Sequence, residues 1–137
     1  MNLRRFLFLL WAGLLAAAAA CAQPVSTLYD KAEYRIAMRD SVRLHTSVFT
    51  PKAPGKAPII IFRTPYGTGP YGEGQFPGSF EKGYMRSYVD RGYIIVMQDV
   101  RGRYMSEGDF EHVRPAGSGE TDETTDSYCL LYTSPSP

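Results

Sequence analysis

The chain has 137 residues, which is enough for a single domain. Of its 15 basic residues, Arg4 and Arg5 lie in the N-terminal segment, so 13 remain against 14 acidic ones. This near-neutral balance gives no support for a nucleic-acid or anionic-membrane partner. Ten Tyr and seven Phe indicate a chain that forms a core, and they exclude a disordered protein.

Residues 1–22 have the pattern of a signal peptide. Arg4 and Arg5 form a basic start, Phe6 to Ala20 is apolar, and Ala20-Cys21-Ala22 supplies small residues for cleavage before Gln23. Cys21 leaves a second interpretation open, namely lipid attachment after lipoprotein-type processing. The apolar run is short for a membrane span. We therefore expect an exported protein, periplasmic or extracellular, with secretion favoured over a lipid anchor.

The first elements predicted after the signal are two paired strands. Tyr34 to Arg39 alternates apolar and polar side chains, and Val42 to Phe49 does the same. Asp40-Ser41 makes the turn between them, which predicts an antiparallel hairpin of half-buried strands at the edge of a sheet. The proline-rich stretch Pro51 to Lys56 follows as a surface connection.

A strand, a helix and a second strand come next. Ile59 to Phe62 is apolar without alternation, which predicts a parallel strand buried on both faces. Ser79 is the predicted N-cap of a helix from Phe80 to Asp90, and Gly92 fits the position just after its end. The apolar face of that helix would comprise Phe80, Tyr84, Tyr88 and Met85. Tyr93 to Met97 is a second buried strand, so the order predicts a parallel βαβ unit.

The polar residues beyond the second buried strand favour structural roles. Asp99, Arg101 and Asp109 could line a pocket mouth but are expected mainly to fix loops. Thr121 to Asp126, with the acidic side chains of Asp122, Glu123 and Asp126, resembles a helix cap more than a metal or amine site. His45 and His112 are expected to be solvated or hydrogen-bonded. Cys21 and Cys129 give no disulfide or metal framework.

The last nine residues differ in character from the rest. Cys129 to Pro137, C-L-L-Y-T-S-P-S-P, breaks the helical pattern and ends in prolines. It resembles the translation of a transposase mosaic-end adapter used in sequencing libraries. We therefore divide the chain into residues 1–22, a signal peptide, residues 23–128, the native folded part, and residues 129–137, a non-native tail.

Four stretches resemble a known family. They are "MRDSVRLHTSVFTPK", "PIIIFRTPYG", "RGYIIVMQDVRGRYMSEGDF" and "TDETTDSY". Together they are similar to the start of the X-Pro dipeptidyl-peptidase/cocaine-esterase family of serine hydrolases, nearest its α-amino-acid ester hydrolase and glutaryl-acylase branch. The resemblance implies the N-terminal part of an α/β-hydrolase sheet, truncated before the nucleophile elbow.

The resemblance also implies what the protein does. Family members cleave esters or amides with a Ser-Asp-His triad and need no cofactor or metal. No serine here lies in a G-x-S-x-G setting, so the triad is expected beyond this fragment, which alone is predicted inactive. Substrates would be small esters, amides or short peptides. The alternatives are an X-Pro dipeptidyl peptidase and a noncatalytic exported binding protein on the same fold.

Two positions carry specific expectations from the family. Tyr66 matches the tyrosine whose hydroxyl contributes to the oxyanion hole, and it is the candidate catalytic residue of the chain. The other interpretation of Tyr66 is a loop aromatic packed beside Pro65. Ser41 replaces the usual glycine of an R-D-G turn. A positive φ there would cost a non-glycine residue about 1 kcal/mol.

Overall fold

The computed structural model of the protein describes residues 23–111 and 121–133. The helices and strands, in chain order, are α1 (Val25–Leu28), β1 (Tyr29–Ala37), β2 (Arg43–Pro51), β3 (Ile59–Thr64), a 3₁₀ turn (Gly78–Phe80), α2 (Tyr84–Asp90), β4 (Ile94–Asp99) and α3 (Glu123–Thr133). Within these ranges no helix has the length and apolar character needed to cross a bilayer. The proposed signal segment lies outside the described residues.

The four strands form one mixed sheet in the order β1-β2-β4-β3. The pairs β1–β2 and β2–β4 are antiparallel, whereas β3 and β4 are parallel. Parallel neighbours need a crossover, and α2 lies in the connection between β3 and β4. The predicted hairpin followed by a parallel βαβ unit is therefore confirmed.

The burial of the strands differs from the prediction. In β2, residues 44–47 are all buried, because the loop that follows β3 covers one of its faces: His45 packs against Tyr71, and Phe49 against Phe80. In β3, by contrast, Ile59 is 38% exposed and the rest of the strand is half-buried. Among the described strands, β3 pairs only with β4, so it is an edge strand. The prediction of a half-buried second strand and a fully buried third strand is wrong.

The hydrophobic core lies between the sheet and α2. Phe49 from β2 contacts the ring of Phe80 at 4.7 Å between centroids, in a T-shaped arrangement. The hydroxyl of buried Tyr29 donates to the carbonyl oxygen of Tyr93 at 2.9 Å and also lies 3.2 Å from the carbonyl oxygen of Val89. The buried core residues are Val25, Tyr29, Phe49, Phe80, Met85, Val89 and Ile95.

The start of the crossover helix also differs from the prediction. Ser79 does not cap a helix from Phe80, because the chain makes one 3₁₀ turn and α2 begins only at Tyr84. Gly83 directly precedes α2 and has φ +75°, a left-handed backbone conformation that glycine adopts readily. Because helical residues need negative φ, the helix cannot extend back through Gly83. The core face of α2 consists of Met85 and Val89, whereas Tyr84 is 71% exposed.

The end of α2 follows the prediction. Gly92 has φ +69°, and its N–H donates to the carbonyl oxygen of Val89 at 3.0 Å. The N–H of Tyr93 donates to the carbonyl oxygen of Tyr88 at 3.1 Å, and the two tyrosine rings lie 5.4 Å apart. This is a Schellman motif with its hydrophobic contact. It turns the chain directly into β4.

Helix α3 begins with the predicted acidic cap. The N–H of Thr125 donates to Asp122 Oδ1 at 2.8 Å, and the N–H of Asp122 donates to Thr125 Oγ1 at 2.8 Å. This reciprocal pair is a capping box. The helix continues to Thr133, so the predicted break at Cys129 is wrong. No proline interrupts the segment, and Leu130 is buried one turn after buried Asp126.

Candidate active site at the carboxyl ends of the parallel strands

Strands β3 and β4 end at the same edge of the sheet. Thr64, the last residue of β3, is in register with Asp99, the last residue of β4. The N–H of Val100 then donates to the carbonyl oxygen of Thr64 at 3.2 Å. Ligands bind outside the carboxyl ends of parallel strands in open α/β sheets. The loops after β3 and β4 therefore meet where a site is expected.

Tyr66 lies in the first of these loops, two residues after β3. Its side chain is 81% exposed, and its backbone N–H donates to Thr64 Oγ1 at 3.1 Å. With so little of the ring buried, packing beside Pro65 contributes little to the fold. The phenol hydroxyl is therefore accessible as a hydrogen-bond donor at the carboxyl edge of the sheet.

The end of β4 and the loop that follows it hold the residues on both sides of Tyr66. Arg103 Nε donates to the carbonyl oxygen of Pro65 at 3.1 Å. The Tyr104 ring lies so close against Gly67 that a Cβ at this glycine would sit 3.1 Å from ring atoms. The Thr68 N–H donates to Asp99 Oδ1 at 2.8 Å. Contacts on either side thus constrain the backbone that carries Tyr66.

Asp99 is the centre of these contacts. Its residue is fully buried, and Oδ2 accepts hydrogen bonds from the Tyr71 hydroxyl at 2.9 Å and the Met105 N–H at 3.4 Å. Ser106 Oγ donates to its carbonyl oxygen at 2.7 Å. Burial, together with the hydrogen bond to the Asp99 carboxylate, raises the pKa of Tyr71 to about 12. Tyr71 therefore remains a donor to Asp99 throughout the physiological range.

The far end of the same loop is held by an ion pair from β1. Lys31 Nζ donates to the carbonyl oxygens of Pro70 at 2.7 Å and Gly72 at 3.0 Å. It also lies 2.7 Å from Glu33 Oε1, which accepts the Gly72 N–H at 2.8 Å. Burial raises the pKa of Glu33, but Lys31 and the Gly72 amide outweigh it, so the pKa is below its usual value.

His45 has the hydrogen-bonded role that its position on a strand predicts. Its Nε2 lies 3.4 Å from Ser47 Oγ and 3.9 Å from Glu33 Oε1, and its ring meets Tyr71 edge-on. Burial lowers its pKa. His45, Ser47 and Glu33 do not form a catalytic triad, because serine and carboxylate approach the same ring nitrogen and Ser47 is fully buried. His112 lies outside the described residues.

Arg101 anchors the hairpin turn to α3. Its guanidinium contacts Asp126 through Nη2–Oδ1 at 2.7 Å and Nε–Oδ2 at 3.1 Å. It also contacts Asp40 through Nη1–Oδ2 at 2.5 Å. The hydrogen bond to Asp126 raises the pKa of Arg101, and the hydrogen bond from Arg101 lowers the pKa of Asp40. The loop-fixing ion pairs predicted for Arg101 are confirmed.

Arg63 makes a second polar connection that the sequence did not indicate. Its Nε donates to Gln98 Oε1 at 2.8 Å, and Nη1 donates to Ser127 Oγ at 2.6 Å. Its Nη2 lies 2.9 Å from Glu123 Oε2. Burial lowers the pKa of Arg63, and the carboxylates oppose that shift. Glu123 and Asp126 are thus engaged by arginines, and of the three acidic residues predicted to form a helix cap it is Asp122 that accepts the capping N–H.

Comparison with known proteins agrees with this architecture. The chain is 36% identical over 75 residues to the cocaine esterase of Rhodococcus sp. (strain MB1 Bresler), covering 55% of this chain and 12% of that protein. A solved α-amino acid ester hydrolase superposes with a TM-score of 0.61 at 33% identity, covering 83% of this chain and 20% of the other. The chain thus spans a fifth or less of these relatives.

A solved aminopeptidase from the marine sediment archaeon Thaumarchaeota archaeon matches similarly, with a TM-score of 0.60, 30% identity and coverage of 85% of this chain and 21% of the other. The sheet order and these neighbours define the chain as the N-terminal part of a hydrolase fold of the α/β class. The sequence profile of X-Pro dipeptidyl-peptidase (S15 family) matches residues 40–129. The chain therefore belongs to the X-Pro dipeptidyl-peptidase (S15) family of hydrolases.

Proposed function

We propose that this chain is the N-terminal part of an exported serine hydrolase that cleaves ester or amide bonds through an acyl-enzyme. The observation that carries the proposal is the accessible Tyr66 hydroxyl on a loop held from both sides. Two of the relatives are an esterase and an ester hydrolase, and a third is an aminopeptidase. These names support acyl transfer from small esters, amides or short peptides.

In this mechanism Tyr66 stabilises charge that develops on the acyl oxygen. A serine attacks the carbonyl carbon and its proton passes to a histidine, while the carbonyl oxygen becomes an oxyanion. The Tyr66 hydroxyl and a backbone N–H donate to that oxygen. Such donors are effective because they are oriented before the reaction and gain strength where charge appears. The nucleophile and its partners are proposed to lie in sequence beyond Tyr128.

The proposal is tested with the protein encoded by the complete gene. We expect it to hydrolyse a p-nitrophenyl acyl ester with an initial burst of p-nitrophenol equal to the enzyme concentration, because an acyl-enzyme accumulates. Deacylation should then limit turnover. A protein that binds such esters without any burst or turnover would be the noncatalytic alternative.

The peptidase alternative has its own support, since the family is described by X-Pro dipeptidyl peptidase activity. The two activities are distinguished by comparing kcat/KM for the acyl ester with kcat/KM for Gly-Pro-p-nitroanilide and for Gly-Ala-p-nitroanilide. An esterase should have the higher kcat/KM for the ester, and its kcat/KM for the two anilides should be similar. A large preference for the Gly-Pro substrate over the Gly-Ala control would assign the peptidase activity instead.

We also propose that residues 1–22 direct export and that native sequence ends near Tyr128. A genomic read should continue α3 beyond Tyr128 and reach a serine within G-x-S-x-G. A genomic read of Cys129 to Pro137 followed by a stop codon would contradict this. Mass analysis of the mature N-terminus should give Gln23 after secretion, whereas a diacylglycerol-modified Cys21 would assign a lipid anchor.

A further inference from the structure

We infer that Asp99 is a positioning residue that holds the oxyanion donor Tyr66 through the backbone of the loop after β3. This inference rests on the proposed function of Tyr66 and assigns the means by which the hydroxyl is kept in place. Asp99 is fully buried, and its carboxylate accepts hydrogen bonds from Thr68, Tyr71 and Met105. Thr68 lies only two residues after Tyr66 in the chain.

The first observation is that neutral hydrogen-bond donors hold the buried carboxylate of Asp99. Asp99 has no exposed surface, and no described Lys, Arg or His nitrogen lies within 4.0 Å of its carboxylate. Burying a charge costs free energy unless hydrogen bonds or an opposite charge offset it. Here the offset comes from the Thr68 N–H, the Tyr71 hydroxyl and the Met105 N–H. All three donors are neutral.

The second observation is where those donors lie. Thr68 is two residues after Tyr66, and its N–H makes the shortest of the three contacts, 2.8 Å to Oδ1. Tyr71 ties the next part of the same loop to Oδ2 at 2.9 Å. Met105 belongs to the loop after β4, which also supplies Arg103 to the Pro65 carbonyl oxygen. One carboxylate therefore joins the loop that carries Tyr66 to the loop after β4.

The fixed position of Asp99 makes it a suitable anchor. It is the last residue of β4, and its backbone is in register with Thr64 of β3. The hydrogen bond from Ser106 Oγ to its carbonyl oxygen, at 2.7 Å, restrains it further. Residues that position catalytic groups are most effective when they lie on regular elements and are locked by their own neighbours. Asp99 meets both conditions.

The burial of Asp99 excludes direct contact with a substrate at this surface, whereas Tyr66 is 81% exposed. Asp99 therefore acts through Thr68 and Tyr71, not on the reacting atoms. A displacement of about 1 Å in a positioned group can lower turnover about a hundredfold. We expect loss of the Asp99 contacts to lower kcat and to leave KM nearly unchanged, because the oxyanion forms only in the transition state.

The test is a double-mutant cycle in the complete enzyme, with kcat and KM measured on the acyl ester. Asp99→Asn removes the charge while keeping the shape, and Tyr71→Phe removes only one hydroxyl. Each is made alone and together with Tyr66→Phe. We expect each to lower kcat about ten- to hundredfold alone, and by less than about threefold when the Tyr66 hydroxyl is already absent. Asp40→Asn is the matched control.

The Asp40 control disturbs another carboxylate network, the one that Asp40 forms with Arg101, without contacting the loop of Tyr66. Its effect on kcat should be the same with and without the Tyr66 hydroxyl. If Asp99→Asn fails to fold, Tyr71→Phe carries the same cycle, because its ring still packs against His45.

The outcomes separate the inference from the proposed function. If Tyr66→Phe lowers kcat but the losses from Asp99→Asn and Tyr71→Phe are unchanged in that background, Asp99 has only a structural role and the inference is overturned. If Tyr66→Phe is silent, both the oxyanion role and the positioning role are overturned. If the kcat losses from Asp99→Asn and Tyr71→Phe disappear in the Tyr66→Phe background, the result supports both the oxyanion role of Tyr66 and the positioning role of Asp99.

Discussion

Replacing Tyr66 by Phe in the complete enzyme removes one hydroxyl and nothing else from the proposed site. The ring is 81% exposed, and among the described residues the hydrogen bond of Tyr66 runs from its backbone N–H to Thr64 Oγ1. The substitution leaves that bond intact. The free energy of unfolding should therefore change by less than about 0.5 kcal/mol.

The kinetic effect should be large by comparison. One oxyanion donor is worth about 10²–10³ in kcat, or about 2.7–4 kcal/mol of transition-state stabilisation. Because the hydroxyl acts mainly on the developing charge, kcat and kcat/KM should fall together while KM stays nearly constant. The assay is steady-state hydrolysis of a p-nitrophenyl acyl ester, with a thermal melt of the same preparations.

Tyr66→Ala completes this experiment. It removes the hydroxyl and the exposed ring, so it should lose about as much activity as Tyr66→Phe and remain folded. A packed aromatic would behave in the opposite way: Phe would be silent in turnover and Ala would lower the melting temperature. Full kcat in the Phe variant would refute the oxyanion role of Tyr66.

Three further predictions concern stability. Ser41 has φ +69°, so Ser41→Gly should raise the free energy of unfolding by about 1 kcal/mol in urea melts, and an unchanged midpoint would contradict a strained turn. A Cβ on Gly102 would overlap the Phe110 backbone nitrogen, so Gly102→Ala should lower the free energy of unfolding by about 1–3 kcal/mol or more. Gly78 has open space around the position of a Cβ, so the control Gly78→Ala should leave that free energy nearly unchanged. Burial lowers the pKa of His45, so the folded state binds fewer protons at His45 than the unfolded state does. As the pH falls below about 6.5, the free energy of unfolding should therefore decrease by at most about 1.4 kcal/mol per pH unit. His45→Gln should flatten that fall, and an unaltered pH profile would show that His45 is not its source.

Local signals in the sequence predicted the features that depend on a few neighbouring residues. Gly92 ends α2 because a single residue with positive φ allows two backbone hydrogen bonds to close. Asp122 caps α3 because its side chain reaches an N–H three residues later. Ser41 has the positive φ that the missing glycine of the turn implies. Each outcome is decided within about one turn of chain.

The wrong predictions depend on distant parts of the chain. The alternation in β2 predicts one exposed face, yet the loop that follows β3 covers it and places Tyr71 against His45. The apolar run of β3 predicts burial on both faces, yet the strand lies at the edge of the described sheet. Ser79 has a favourable side chain for a cap, but the backbone of Gly83 determines where α2 begins.

The candidate site was predicted in part. The apolar strand followed by a polar loop indicated the position of Tyr66, but its role comes from resemblance to a family and not from the spacing of residues. Nothing in the sequence indicated that Asp99 would accept the Thr68 N–H and the Tyr71 hydroxyl, since they lie 31 and 28 residues away. Such pairings require the register between β3 and β4, which only the folded sheet provides.

A covalent acyl-enzyme requires an activated serine, which the mass of the complete protein after reaction with a fluorophosphonate should reveal. These reagents modify an activated serine nucleophile. We predict one adduct per molecule, on a serine in a G-x-S-x-G setting beyond Tyr128, with loss of ester hydrolysis in proportion to labelling. An active enzyme that gains no adduct, or that is labelled on a serine within residues 23–128, would contradict an acyl-enzyme on a serine beyond Tyr128.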